Sequence, residues 1–161
     1  MKQKPRTRPV VANLQYGGAY RASLEEAERT GKCPFCQPEY RAMALMTPYS
    51  GWFVVNVREE FRQSDREGQK PPYQLLFVSL THRDDTKLPT LADWFAIAEL
   101  LRRCKRKFGI RGGCLFLRDG DPDCCGRTVR HPHVHYYVPR MVRVPRGGKG
   151  RRSVPIDIAA G

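Results

Sequence analysis

An α+β domain built on a largely antiparallel sheet is the fold that this 161-residue chain predicts. Four short runs rich in β-branched and aromatic residues read as strands: WFVVNV (52–57), YQLLFVSL (73–80), GCLFLR (113–118) and VRHPHVHYYV (129–138). A single long helical pattern lies between the second and third of them. Loops make the other connections, without the regular strand–helix alternation of a parallel sheet.

Taken in order, Ser23-Leu24-Glu25-Glu26 has the form of a capping box, opening a short helix that Gly31 closes. Cys33-Pro34-Phe35-Cys36 follows at once, before the first strand. The segment EFRQSDREGQKPP (60–72) is polar and ends in two prolines, which marks a loop. Thr90, with Asp93 three residues later, opens the long helix, and Leu91, Trp94, Phe95, Ala98 and Leu101 form the stripe expected to pack on the sheet. Lys105, Arg106 and Lys107 suit its C-terminal dipole, and Gly109 stops it. RDGDPDCCGR (118–127) reads as a tight loop. Within the fourth strand Pro132 cannot donate a ladder hydrogen bond, so the strand is at an edge there or the proline nitrogen faces away from a neighbour.

A hydrophobic content of 40% supports one domain with a sizeable core. No apolar run approaches a membrane span, and the start MKQKPRTRPVV lacks the apolar centre of a secretion signal, so a soluble cytoplasmic protein is expected. In that setting the six cysteines (33, 36, 104, 114, 124 and 125) point to thiols or metal ligands rather than disulfides. Cys104 and Cys114 read as small core residues, and the Cys124-Cys125 pair as incidental loop thiols.

The net charge is +13, and ten of those excess charges fall in two segments without acids: Lys2 to Arg8 and Arg140 to Arg152. The expected division is a basic N-terminal tail (1–19), a domain (20–140) and a basic C-terminal tail (141–161). Such tails attract polyanions, nucleic acid included, or simply keep the chain in solution.

Three of the four histidines, His131, His133 and His135, occupy alternate positions. In an extended strand they share one face. The Cys33–Cys36 spacing suits a redox pair, half of a zinc site, or two buried thiols. Four ligands close a structural zinc site, and His82, just after the second strand, could meet His131 there. Cys33, Cys36, His82 and His131 would then hold zinc, leaving His133 and His135 for chemistry; the alternative is that His82 only packs beside the following helix.

The stretch GRTVRHPHVHYYVPR resembles the signature of the histidine triad (HIT) superfamily, in which His-x-His-x-His follows a Gly-x-Ser/Thr turn. LLFVSLTHRDDTKLP and the helix after it resemble that family's strand, histidine and helix, and CPFC resembles its zinc-binding members, so the likeness spans residues 20–140. His131-Pro132-His133 is also similar to the His-Pro-His of galactose-1-phosphate uridylyltransferase, whose third triad position is glutamine. His135 at that position favours hydrolysis over transfer.

The resemblance implies a HIT-like fold and a homodimer. It also implies attack by His133 on a nucleoside α-phosphate, giving a nucleotidyl-histidine that water hydrolyses. His135, Thr128, Arg127 and the backbone of the Gly126 turn would bear the developing charge, and Asn56 would touch the nucleotide. Two departures bear on the substrate: Arg118-Asp119-Gly120 stands where the family carries an amide near a glycine, and position 127 is arginine rather than a small or amide residue. The added charge points to a longer or more anionic leaving group. The alternative function is nucleic-acid binding, or removal of adenylate from a nucleic-acid end as in aprataxin, with the basic tails holding the polymer.

Overall fold

The computed structural model describes residues 18–83, 88–120, 125, 127–143 and 151–154. Strands β1 (Trp52–Asn56), β2 (Tyr73–Ser79), β3 (Cys114–Phe116) and β4 (His133–Val138) form one sheet in the order β1-β2-β4-β3, with every neighbouring pair antiparallel. The α+β expectation therefore holds: hydrogen-bonded neighbours are all antiparallel, and α3 makes a single crossover from β2 past β4 to β3 rather than a regular strand–helix alternation.

Alternation along the strands divides the core in two. Trp52, Val54, Leu75, Phe77, Val134 and Tyr136 face the long helix α3 (Leu91–Phe108). Phe53, Val55, Leu76 and Val78 face α1 (Gly18–Thr30) and the Cys33–Cys36 turn, through Leu24, Ala27 and Phe35. Full burial of each such side chain contributes about 1.5–3 kcal/mol. A one-turn helix α2 (Pro38–Ala42) follows the cysteine turn. At the start of β3 there is no room for a side chain: a Cβ on Gly113 would meet the Tyr136 ring at 2.7 Å.

Helix α3 opens as expected, with the Thr90–Asp93 capping box in place, and closes on Gly109 at φ +64°. Its buried face differs from the expected stripe. Trp94 and Leu101 of that stripe are half-buried against the core, but Leu91 and Phe95 are 89% and 68% exposed and Ala98 is exposed, while Ala96, Ile97, Leu100 and Cys104 are buried. Asp93 is the reason: besides capping, it accepts the indole N–H of Trp52 at 2.8 Å. That bond turns the Asp93 side of the helix to β1, and Ile97, Leu100 and Cys104 follow at the next helical positions.

Three smaller corrections concern local signals. Helix α1 begins at Gly18, so Ser23 lies inside it, and Glu26 pairs with Arg29 at 2.7 Å rather than capping. Cys114 is exposed, because β3 is the outermost strand; Cys104 is buried as expected. Strand β4 begins only at His133, after Pro132.

Within the C-terminal basic segment, β5 (Met141–Arg143) and β6 (Arg151–Ser153) pair as a two-stranded antiparallel ribbon. Val154 is buried, and its N–H donates to the Arg140 carbonyl at 2.9 Å. Residues 1–17, Cys124, Gly126, 144–150 and 155–161 lie outside the described residues. No helix among the described residues is long and apolar enough to cross a membrane.

Candidate active site and metal centre

Pro132 divides the histidine motif. Its carbonyl accepts the Ser79 N–H at 3.1 Å, and because proline has no N–H to return, the Ser79 carbonyl is left for the His131 ring. The chain before it turns tightly, with the His131 N–H on the Val129 carbonyl at 2.9 Å. Only His133 and His135 therefore share the β4 face; His131 leaves the ladder and enters a cluster of its own.

In that cluster the ligand atoms of Cys33, Cys36, His82 and His131 all lie within 4.8 Å of one another. His131 is fully buried, and its Nε2–H donates to the Ser79 carbonyl at 2.7 Å. Its Nδ1 lone pair is thereby aimed at Cys33 Sγ (3.4 Å), Cys36 Sγ (3.6 Å) and His82 Nδ1 (3.2 Å). Cys36 Sγ stands 3.6 Å from His82 Nδ1. Ligand atoms of a tetrahedral zinc with bonds of about 2.0–2.3 Å stand about 3.3–3.8 Å apart, so the donors fit such an ion. Burial and the neighbouring Cys36 push the Cys33 thiol up to about 12. A bound cation reverses that preference, because a coordinating thiol is deprotonated. The four expected residues thus form a group able to hold a metal ion.

His133 is buried, and its Nδ1 lies 2.6 Å from the His131 carbonyl. A carbonyl oxygen only accepts, so Nδ1 carries the proton and Nε2 keeps the lone pair. Burial, reinforced by the charges of Arg127 and Arg118, lowers its pKa to about 4. At neutral pH the imidazole is uncharged. His135, 5.1 Å away between ring centroids, is also held well below the ordinary histidine value by burial, and then by the charges of His133 and Arg118. Its Nδ1 is buried without a hydrogen-bond partner, which a group entering the site could satisfy.

Both histidines line a cavity of about 640 Å³, a volume in the range of small-molecule sites. Asn56, Arg118 and Thr128 line it as well. Asn56 Oδ1 accepts the Gln74 N–H at 3.1 Å, and an Arg118 N–H donates to the Cys125 carbonyl at 2.6 Å. Arg127 is placed otherwise. It is buried, its Nε donates to the Arg118 carbonyl at 3.2 Å, and it borders a smaller cavity of about 90 Å³ that shares His133 with the first.

Sequence reasoning missed much of the cavity wall. Phe35, between the two cysteines, meets the rings of His131 and His133 edge-on at 5.7 and 5.2 Å and lines the cavity. Arg62 and Lys70, from the segment read only as a polar loop, line it too, as does Arg58 just before that segment. The one available signal was the basic residues on either side of Asp65.

No family model and no curated protein matches the chain. Among solved structures it is similar to a HIT family hydrolase from Clostridium thermocellum, at 18% identity over 73% of this chain and 96% of that one, with a TM-score of 0.45. It is also similar to a histidine triad protein from Clostridium difficile, at 15% identity over 64% and 83% of the two chains, with a TM-score of 0.42. At such scores the functional reading rests on the site's own side chains.

Proposed function

We propose that the chain is a histidine triad hydrolase that cleaves a bond to the α-phosphorus of a nucleotide or nucleotide conjugate through a nucleotidyl-His133 intermediate. One observation carries the reading: the 2.6 Å bond from His133 Nδ1 to the His131 carbonyl fixes the ring proton on Nδ1, so that in the ring, kept uncharged by burial, Nε2 holds the lone pair at a residue lining the large cavity. The Nε2 electron pair attacks phosphorus, forming the N–P bond while the bond to the leaving group breaks. The leaving group keeps that electron pair and takes up a proton. Water then attacks the same phosphorus, the N–P pair returns to Nε2, and a nucleoside monophosphate departs.

His135, with its unpartnered Nδ1, serves a phosphoryl oxygen or the proton of the leaving group. Arg118 and Thr128 stabilise the developing negative charge, and Asn56 contacts the nucleoside. Arg127 acts by holding the Arg118 main chain, and by its charge near His133. For the Cys33, Cys36, His82 and His131 group the donor set of two thiolates and two imidazoles favours zinc, which would tie three separate segments together. Pairing of two copies through the exposed Leu91 and Phe95 completes the reading.

The test is the intact mass of the protein after mixing with adenosine 5′-phosphoramidate, for wild type and His133→Ala. A nucleotidyl adduct confined to the wild type is expected. Absence of both adduct and released adenylate from the wild type sinks the proposal.

A further inference from the structure

The loop from Val57 to Lys70 divides part of its charge between two sides. Two of its four acids meet arginines of the C-terminal segment: Arg140 donates to Asp65 Oδ2 at 3.0 Å and to Glu67 Oε2 at 2.6 Å, and Arg152 to Glu67 Oε1 at 3.3 Å. Three of its four bases, Arg58, Arg62 and Lys70, line the large cavity together with one acid, Glu60. Neither Asp65 nor Glu67 lines that cavity, so basic side chains of the loop outnumber acidic ones on its wall by three to one.

The loop is also held in shape. Asp65 Oδ1 accepts the N–H groups of Glu67 and Gln69 at 2.9 and 3.0 Å. Arg62 Nε donates to the Val57 carbonyl at 2.8 Å, and Lys70 Nζ donates to the Arg62 carbonyl. The sheet register gives its place. His133 pairs with Val78 and Tyr137 with Gln74, and Val57 N–H donates to the Gln74 carbonyl at 2.8 Å. The loop thus begins four residues along the strand direction and two strands across from His133, or roughly 16 Å away. Side chains reaching inward shorten that distance to the span of a nucleotide bearing phosphate at two positions.

We propose that the Arg58, Arg62 and Lys70 wall binds a second phosphate group of the substrate, beyond the phosphate attacked by His133. This rests on the nucleotide reading above and narrows its substrate class. The second phosphate has two chemical sources: one carried by the ribose, or one further along a 5′-phosphate chain.

Calorimetric titration of the full chain with nucleoside 5′-monophosphates, 3′,5′-bisphosphates and α,β-methylene 5′-triphosphates of the four common bases separates them. For at least one of the two longer ligand types, the expected wild-type affinity is about tenfold above that for the monophosphate. In Arg58→Gln/Lys70→Gln that ratio should fall to near one, and the better ligand identifies the source. Equal wild-type affinities for all three types overturn the proposal, as does an advantage that survives the double substitution. If the wild type binds no nucleotide of any type, the nucleotide reading itself fails and takes this proposal with it.

Discussion

The main-chain carbonyl of His131 accepts the Nδ1 proton of His133 at 2.6 Å, so a residue of the metal-binding group sets the tautomer of the imidazole two places on. Disturbing the group should therefore reach His133. In Cys33→Ser, metal content measured by plasma emission should fall from one ion per chain. A loss of about 3 kcal/mol corresponds to a fall in Tm of about 6–12 °C. Nitrogen-15 spectra of the imidazoles should show His133 losing the single Nδ1–H tautomer. An unchanged His133 signal alongside lost metal would uncouple the two.

His135 has a separate test. With its ring lining the cavity and its Nδ1 buried and unpartnered, His135→Ala should slow adduct formation by roughly 10²–10⁴-fold. Rapid-quench kinetics measures this, and a change below threefold would remove His135 from the chemistry.

Asp93 joins helix and sheet, through Thr90 at one end and the Trp52 indole at the other. Asp93→Ala removes the carboxylate half of the capping box and leaves the indole N–H of a buried Trp52 without its acceptor. It should lower stability by about 2–3 kcal/mol in urea unfolding. A loss below about 0.5 kcal/mol would show that neither bond matters.

That same residue shows where the sequence stops being legible. Local signals were readable because local geometry decides them: the Thr90–Asp93 box, the Gly109 stop, the strand runs and the cysteine spacing. The rotation of α3 was not, because the Trp52–Asp93 contact joins residues 41 apart in sequence. Apolar residues lie around more than half of that helix, so periodicity alone selected Leu91 and Phe95 for a face that solvent occupies. The metal group was legible from residue type and count. The basic cavity wall was not, since only the folded loop decides which of its mixed charges line the cavity and which meet Arg140 and Arg152.

Those exposed residues make a prediction of their own. Phe95→Glu should alter monomer stability by no more than about 0.5 kcal/mol. The wild type should sediment as a dimer and the variant as a monomer. A wild type that is monomeric at all concentrations rejects the pairing.

Burial raises the pKa of the Asp65 carboxyl, but the N–H groups of Gln69 and Glu67 and the Arg140 guanidinium outweigh it and hold the group below the ordinary carboxylate range. A depressed carboxylate contributes its full stabilisation above the unfolded value, near ~3.9, and loses it as pH falls through the folded value. Hydrogen-exchange protection of residues 62–70, corrected for the intrinsic pH dependence of exchange, should hence be flat from about pH 8 to 5 and fall below about pH 4. Arg140→Met should lower it at every pH. Protection that is indifferent to Arg140 would show that the ribbon does not hold the loop.

Phe35 carries a practical warning. The residue enclosed by the two cysteines is also part of the wall against which a ligand would rest. If the four-residue group holds an ion as proposed, protein stripped of it during purification, by a chelating resin or an EDTA wash, would lose the cross-link that steadies the turn presenting this ring. Assayed in that state, a competent enzyme would be scored as inert, so metal analysis of each preparation belongs before any screen of substrates.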